Sequence, residues 1–81
     1  MNGMIHELER YISEKLLKRP ERHIMEAEAL LSSGLVDSFH LMDLALFVED
    51  TYGVKLEDTE LNSGSFDSLS QLASLIQTRR K

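Results

Sequence analysis

Residues 34 to 53 read Gly34-Leu35-Val36-Asp37-Ser38-Phe39-His40-Leu41-Met42-Asp43-Leu44-Ala45-Leu46-Phe47-Val48-Glu49-Asp50-Thr51-Tyr52-Gly53. Leu41, Leu44, Ala45, Val48 and Tyr52 recur at three- and four-residue steps, which lines them up on one face of an α-helix. The helix is expected to open at Asp37-Ser38. Gly53 is a good stop, because glycine readily takes the left-handed conformation that ends helices. Phe39, Met42, Leu46 and Phe47 do not all fit on the same stripe, so some of them should be partly exposed.

Outward from this helix, the same periodicity appears twice more. Ile5, Leu8, Ile12 and Leu16 form an early apolar stripe, with Glu7, Glu9, Arg10, Glu14 and Lys15 mostly outside it. Pro20 should end that helix near Arg19, since the residue before a proline is pushed out of the α region. Leu69, Leu72, Ala73 and Ile76 form a late stripe, preceded by Ser68 and Gln71 at capping-box spacing. The basic tail Arg79-Arg80-Lys81 suits the negative end of that helix. Between the first two helices, residues 20 to about 36 have no sustained period. Ile24, Met25, Leu30, Leu31, Leu35 and Val36 are scattered apolar anchors, and Ser32-Ser33-Gly34 is a turn signal. This reads as a long ordered loop, and long loops in compact domains are often functional. Val54-Lys55-Leu56 is a short extended link, and Glu57 to Asn62 is expected to form a brief helical turn around Leu61.

The expected fold is therefore all-α: a small four-helix bundle of three main helices plus one short helix, with a long first loop. Amphipathic helices need one another to bury their stripes. With 81 residues the chain is expected to be one domain, 1–81. Folding of so short a chain buries only about 60% of its unfolded surface. The chain has no cysteine, which excludes disulfides, Cys-based zinc sites and thiol catalysis by the protein itself.

Charge is unevenly placed. Between Glu26 and Glu60 there are nine acids, opposed only by Lys55. An acidic middle repels nucleic acid and anionic membranes and attracts a partner with a basic patch. No stretch approaches the roughly 20 apolar residues of a membrane-spanning helix. The opening residues, Met1 to His6, do not read as a signal peptide, so the expected location is the cytoplasm.

Ser38 is the residue with most chemical promise. It falls in the first turn of an amphipathic helix, directly after a glycine-containing loop. Free N–H groups and the helix dipole at such an end favour a phosphate. From Asp37 and Ser38 alone, an ordinary N-cap is the simpler reading.

The wider pattern, Gly34-Leu35-Val36-Asp37-Ser38-Phe39, closely resembles the phosphopantetheine attachment motif of the acyl carrier protein family. The resemblance extends to chain length, helix order, the long first loop and the acidic second helix. It implies a four-helix bundle whose Ser38, beside Asp37, receives 4'-phosphopantetheine from coenzyme A through a phosphopantetheinyl transferase. The arm's thiol then holds acyl or aminoacyl cargo as a thioester, which fits a chain without cysteine. The implied partners are that transferase and acyl- or aminoacyl-activating ligases, synthases or transferases with basic docking patches. The chain itself is then a non-catalytic carrier subunit and a monomer. By position from Ser38, the resemblance makes Phe39, His40, Asp43, Leu46, Glu49 and Asp50 docking contacts, together with Asp37. A solvated helix face is the plainer reading of the charged ones. Leu44, Val48 and Tyr52 read as core, and the resemblance gives them a second role in sheltering an acyl chain.

Phe39 stands where the family usually has leucine, and His40 where many fatty-acid carriers have an acid. These departures leave room for an amino-acid carrier or a specialised acyl carrier. Asp67-Ser68-Leu69 matches the literal three-residue motif better, but no acidic helix follows it, so Asp67 and Ser68 read as ordinary caps. A hydrolase reading needs a base within reach of Ser38, which only His6 or His23, coming from elsewhere in the chain, could supply. His40 is two residues from Ser38 and i, i+2 side chains do not face each other, and the glycines of a nucleophile elbow are missing. His6 with Glu9 and His23 with Glu26 are isolated pairs, far from a tetrahedral zinc set, so no metal is expected. The remaining alternative is an unmodified helical module that binds a basic partner through its acidic second helix.

Overall fold

A computed structural model of the chain describes residues 2–80, apart from the side chains of Asn2 and Ser38. Lys81 of the basic tail and the Ser38 hydroxyl thus lie outside the described residues. Among the described residues there are three α-helices: α1 (Asn2–Tyr11), α2 (Ser38–Tyr52) and α3 (Leu69–Arg79). Among the described residues there is no strand.

The first helix does not run to Arg19. It passes at Ile12–Leu16 into a wider π-helical turn, and the Leu17 N–H donates to the Ile12 carbonyl at 2.8 Å. Lys18 then takes a left-handed φ of 56° and the Arg19 N–H closes onto the Ser13 carbonyl at 2.7 Å. The helix thus stops before Pro20 exerts its restriction. The buried stripe is Met4, Leu8, Ile12 and Leu16, with Ile5 only half-buried. Four-residue steps drift by about 40° each on an α-helix of 3.6 residues per turn. A wider turn rotates less per residue, so it swings Leu16 back towards the core.

Residues 17–37 contain neither helix nor strand. Ile24, Leu30 and Val36 are buried and pin this stretch to the core. Met25 is not an anchor: it is 73% exposed. Ser13, buried on the π-helical turn, donates its hydroxyl to the Arg22 carbonyl at 2.7 Å. Glu9 accepts from the Ile24 N–H at 2.9 Å. Glu9 is therefore no free solvent-facing charge. It satisfies a loop amide that would otherwise lack a partner.

On α2, Leu41, Leu44 and Val48 are buried, and Gly53 ends the helix at φ 71° with its N–H on the Glu49 carbonyl. Val54 and Leu56 are buried, and a single 3₁₀ turn follows at Asp58–Glu60. Arg79 at the end of α3 grips Glu60 through two guanidinium nitrogens. This pairing holds the Glu60 carboxyl below its usual range. Leu69, Leu72, Ala73 and Ile76 are buried on α3, and Phe66, just before it, is among the largest fully buried side chains.

Candidate functional site

Asp37 lies in extended backbone (φ −93°, ψ 179°), and its carboxylate accepts from the His40 N–H at 3.0 Å. Asp37 is thus the N-cap of α2, and Ser38 is the first helical residue. The arrangement satisfies one of the orphan amides of the first turn and leaves the serine at the head of a rigid element. The His40 ring packs back towards the cap, with Nδ1 3.3 Å from the Asp37 carboxylate. That nitrogen is buried and has no hydrogen-bond partner among the described residues.

The remaining side chains of α2 divide cleanly by helical angle. Phe39, Met42 and Leu46 follow i, i+3, i+7 spacing and point outward, 84%, 60% and 58% exposed. Exposed acids border this stripe on both sides. At 3.6 residues per turn, Glu49 falls on one flank and Asp43 and Asp50 on the other. Phe39, Asp43, Leu46, Glu49 and Asp50 therefore share one surface. His40 does not join them. It lies about a quarter turn away, on the flank that Phe47 occupies.

That flank is held by aromatic contacts. Phe47 stacks on Tyr11 with centroids 4.0 Å apart and meets Tyr52 edge-on at 6.2 Å. Offset and edge-to-face arrangements suit the ring quadrupoles. The Tyr11 hydroxyl donates to the Asp43 carbonyl at 3.2 Å, and the Tyr52 hydroxyl to Glu7 at 2.7 Å. Burial pushes the Tyr52 phenol well above its ordinary range, and the Glu7 carboxylate adds to the shift. Tyr52 is thus not plain core: it ties α2 to α1 through a polar tip. Leu44 and Val48 are fully buried.

The loop that leads into Ser38 folds on itself. The Val36 N–H donates to the Leu30 carbonyl at 2.9 Å and the Gly34 N–H to the Leu31 carbonyl at 3.1 Å. Gly34 has φ 80°, a conformation that glycine adopts at little cost. Asp67, expected to be a helix cap, instead reaches across to this loop. Its Oδ1 accepts from the N–H groups of Leu30, Leu31 and Ser32 at 3.1, 2.6 and 2.9 Å, and Oδ2 from the Ser32 hydroxyl. These bonds hold the Asp67 carboxyl below its usual range, with the Ser32 hydroxyl the largest cause. Ser68 does cap α3, accepting from the Gln71 N–H at 3.2 Å. Gln71 returns its bond to the Asp67 N–H, one residue earlier than a capping box requires.

Elsewhere, a groove of about 220 Å³ is lined by His6, Glu9, Arg10, Ser13, Arg22 and His23, among others. His23 lies 3.4 Å from Glu9, and the stretch around it is not helical, so the expected His23–Glu26 spacing does not apply. Among the described residues, no three His, Asp or Glu side chains gather as a metal site.

The chain matches no protein-family model, no curated protein and no solved structure.

Proposed function

We propose that this protein is a carrier: Ser38 receives 4'-phosphopantetheine from coenzyme A, and the loaded chain presents acyl or aminoacyl groups to partner enzymes. The observation that carries this reading is the site at the head of α2. The Asp37 cap, the Ser38 helix start and an exposed apolar stripe bordered by acids occur on one 15-residue helix. The residues fit the group. A phosphodiester at the first helical residue lies at the positive end of α2, where backbone N–H groups and the dipole favour an anion. Asp37 keeps its carboxylate on the His40 amide and so fixes where the helix begins. When bound, the arm supplies the thiol that this chain lacks.

On this reading the 3₁₀ turn at Asp58–Glu60 is the short helix of a four-helix carrier fold, and residues 17–37 are its long first loop. The chain acts as a cytoplasmic monomer without catalysis of its own. No described helix is long and apolar enough to cross a membrane. Phe39, Leu46 and the acids Asp43, Glu49 and Asp50 contact a basic-rimmed partner, and Met42 joins them. The charged contacts weaken as salt rises, with a screening length of about 10 Å at 0.1 M. The same exposed stripe also supports a second reading, an unmodified module that binds a partner through α2 alone.

Intact mass after incubation with coenzyme A and a promiscuous phosphopantetheinyl transferase separates the two. The parent is expected to gain one phosphopantetheine and Ser38→Ala none. A folded parent that gains nothing, with the transferase active on another carrier, leaves the unmodified module.

A further inference from the structure

The loop before Ser38 is held from a distance. Asp67 lies 36 residues from Leu31 in sequence, yet its Oδ1 gathers three consecutive backbone N–H groups, from Leu30 to Ser32. The Leu30 N–H also reaches the Asp67 carbonyl at 2.7 Å, and the Ser70 N–H reaches the Glu26 carbonyl at 3.0 Å. The start of α3 and the first loop are therefore stitched together at several points. Three N–H groups converge on one oxygen only when the backbone is curled around it, so the carboxylate selects the loop's conformation. Ionised acceptors make stronger bonds of this kind than neutral ones.

The consequence travels to Ser38 through a short covalent path. Residues 30 to 36 form a closed circuit, joined by the Val36-to-Leu30 bond and turned at Gly34. Buried Leu30 and Val36 fix its two ends, and Asp37 and Ser38 follow at once. Ser32, Ser33 and Gly34 are the exposed rim of this circuit. We infer that Asp67 is a positioning residue for the modification of Ser38, holding residues 30–36 in the form that the transferase accepts. The inference rests on the carrier reading of Ser38.

The test compares the parent with Asp67→Asn, Asp67→Ala and Glu60→Gln. Glu60→Gln breaks the other acidic tie to α3, well away from the loop, and so controls for lost stability. Two quantities are read: kcat/KM for phosphopantetheine transfer, and hydrogen exchange at the amides of Leu30, Leu31 and Ser32. The expected result is a fall in kcat/KM of about tenfold for Asp67→Ala, because small displacements of a reacting group cost large factors. Asp67→Asn, which keeps one acceptor oxygen, falls between the alanine variant and the parent. The three amides exchange faster in both, as local opening requires, and Glu60→Gln transfers within about twofold of the parent on the same scale. If Asp67→Ala does not fold, Asp67→Asn decides alone. Transfer to Asp67→Asn at the parent's rate overturns the inference whatever the amides do, and so does an equal loss in Glu60→Gln. A folded parent that accepts no group removes the carrier reading and the inference with it. A modified parent with an equally modified Asp67→Asn removes the inference alone.

Discussion

Two helices of this chain begin with the same short phrase. Val36-Asp37-Ser38 leads into α2 and Phe66-Asp67-Ser68 into α3, each with a buried apolar residue, an aspartate and a serine. They are used one residue out of step. Before α2 the aspartate is the cap and the serine is the first helical residue. Before α3 the serine is the cap, buried at 7% exposure, and the aspartate is spent on the amides of Leu30, Leu31 and Ser32. The caps themselves are equivalent, each accepting from the N–H three residues on, at 3.0 and 3.2 Å. What differs is which oxygen is free to serve as cap. Asp67 has a more demanding partner in the loop, so Ser68 takes the role. A dipeptide therefore does not define a modification site until its register against the helix is known.

The comparison breaks most sharply at the two serines. Ser68→Ala is expected to keep the full mass gain on treatment with transferase and coenzyme A, whereas Ser38→Ala loses all of it. The reverse result assigns the arm to Ser68 and removes the register argument. The apolar residues before each aspartate come next. Phe66→Ala is expected to cost about 3–5 kcal/mol, as for other buried phenylalanines. Val36→Ala removes fewer buried atoms and is expected to cost about 1–3 kcal/mol. Urea unfolding midpoints measure both, and a Val36 loss equal to that of Phe66 means the two helix starts are equally dependent on their anchors.

How much of this was legible in the sequence depends on distance along the chain. The α2 stripe of Leu41, Leu44 and Val48, the Gly53 stop and the α3 stripe follow from periodicity, because one helix face meets one core. The Asp37 cap and the outward turn of Phe39, Met42 and Leu46 are local too. The early helix misled by position: Pro20 marks the latest point at which it can end, while the π-helical turn and Lys18 end it sooner. Glu9, Ser13 and Asp67 were illegible as loop partners. Glu9 reads as a helix-face residue and Asp67 as a cap, Ser13 carries no signal of its own, and nothing nearby names the amide or carbonyl each will meet across the fold. The one general signal is that a 21-residue stretch without helix or strand must find partners for its backbone groups somewhere.

Acid tests the hold of Asp67 on the loop. The Asp67 carboxyl is held below its ordinary range by the loop donors. A carboxyl with a lowered folded-state pKa contributes stability that is fully present above its unfolded pKa, about 3.9. The contribution is lost as pH falls through the lower folded-state value. Asp67→Asn removes that contribution at neutral pH and flattens the acid limb of the curve. The difference in unfolding midpoint between Asp67→Asn and the parent is therefore expected to be largest near neutrality and to shrink towards pH 3. A difference that stays constant across this range means that the charge on Asp67 does not hold the loop.

The smallest effect tests the part of the comparison that claims equivalence. Asp37→Ala and Ser68→Ala each remove one side-chain acceptor from a first-turn amide, and such losses cost about 1 kcal/mol. If the two caps do the same work, thermal unfolding should place the variants within a few tenths of a kcal/mol of each other on that scale. Two features push the values apart in known directions. Ser68 is buried, so its loss leaves the Gln71 amide with less access to water than the His40 amide has after loss of Asp37. Removal of Asp37 also takes away the carboxylate 3.3 Å from the His40 ring. A larger cost at Ser68 points to burial as the deciding factor. A larger cost at Asp37 points to the contact with His40, and would make that buried ring nitrogen part of how α2 is started.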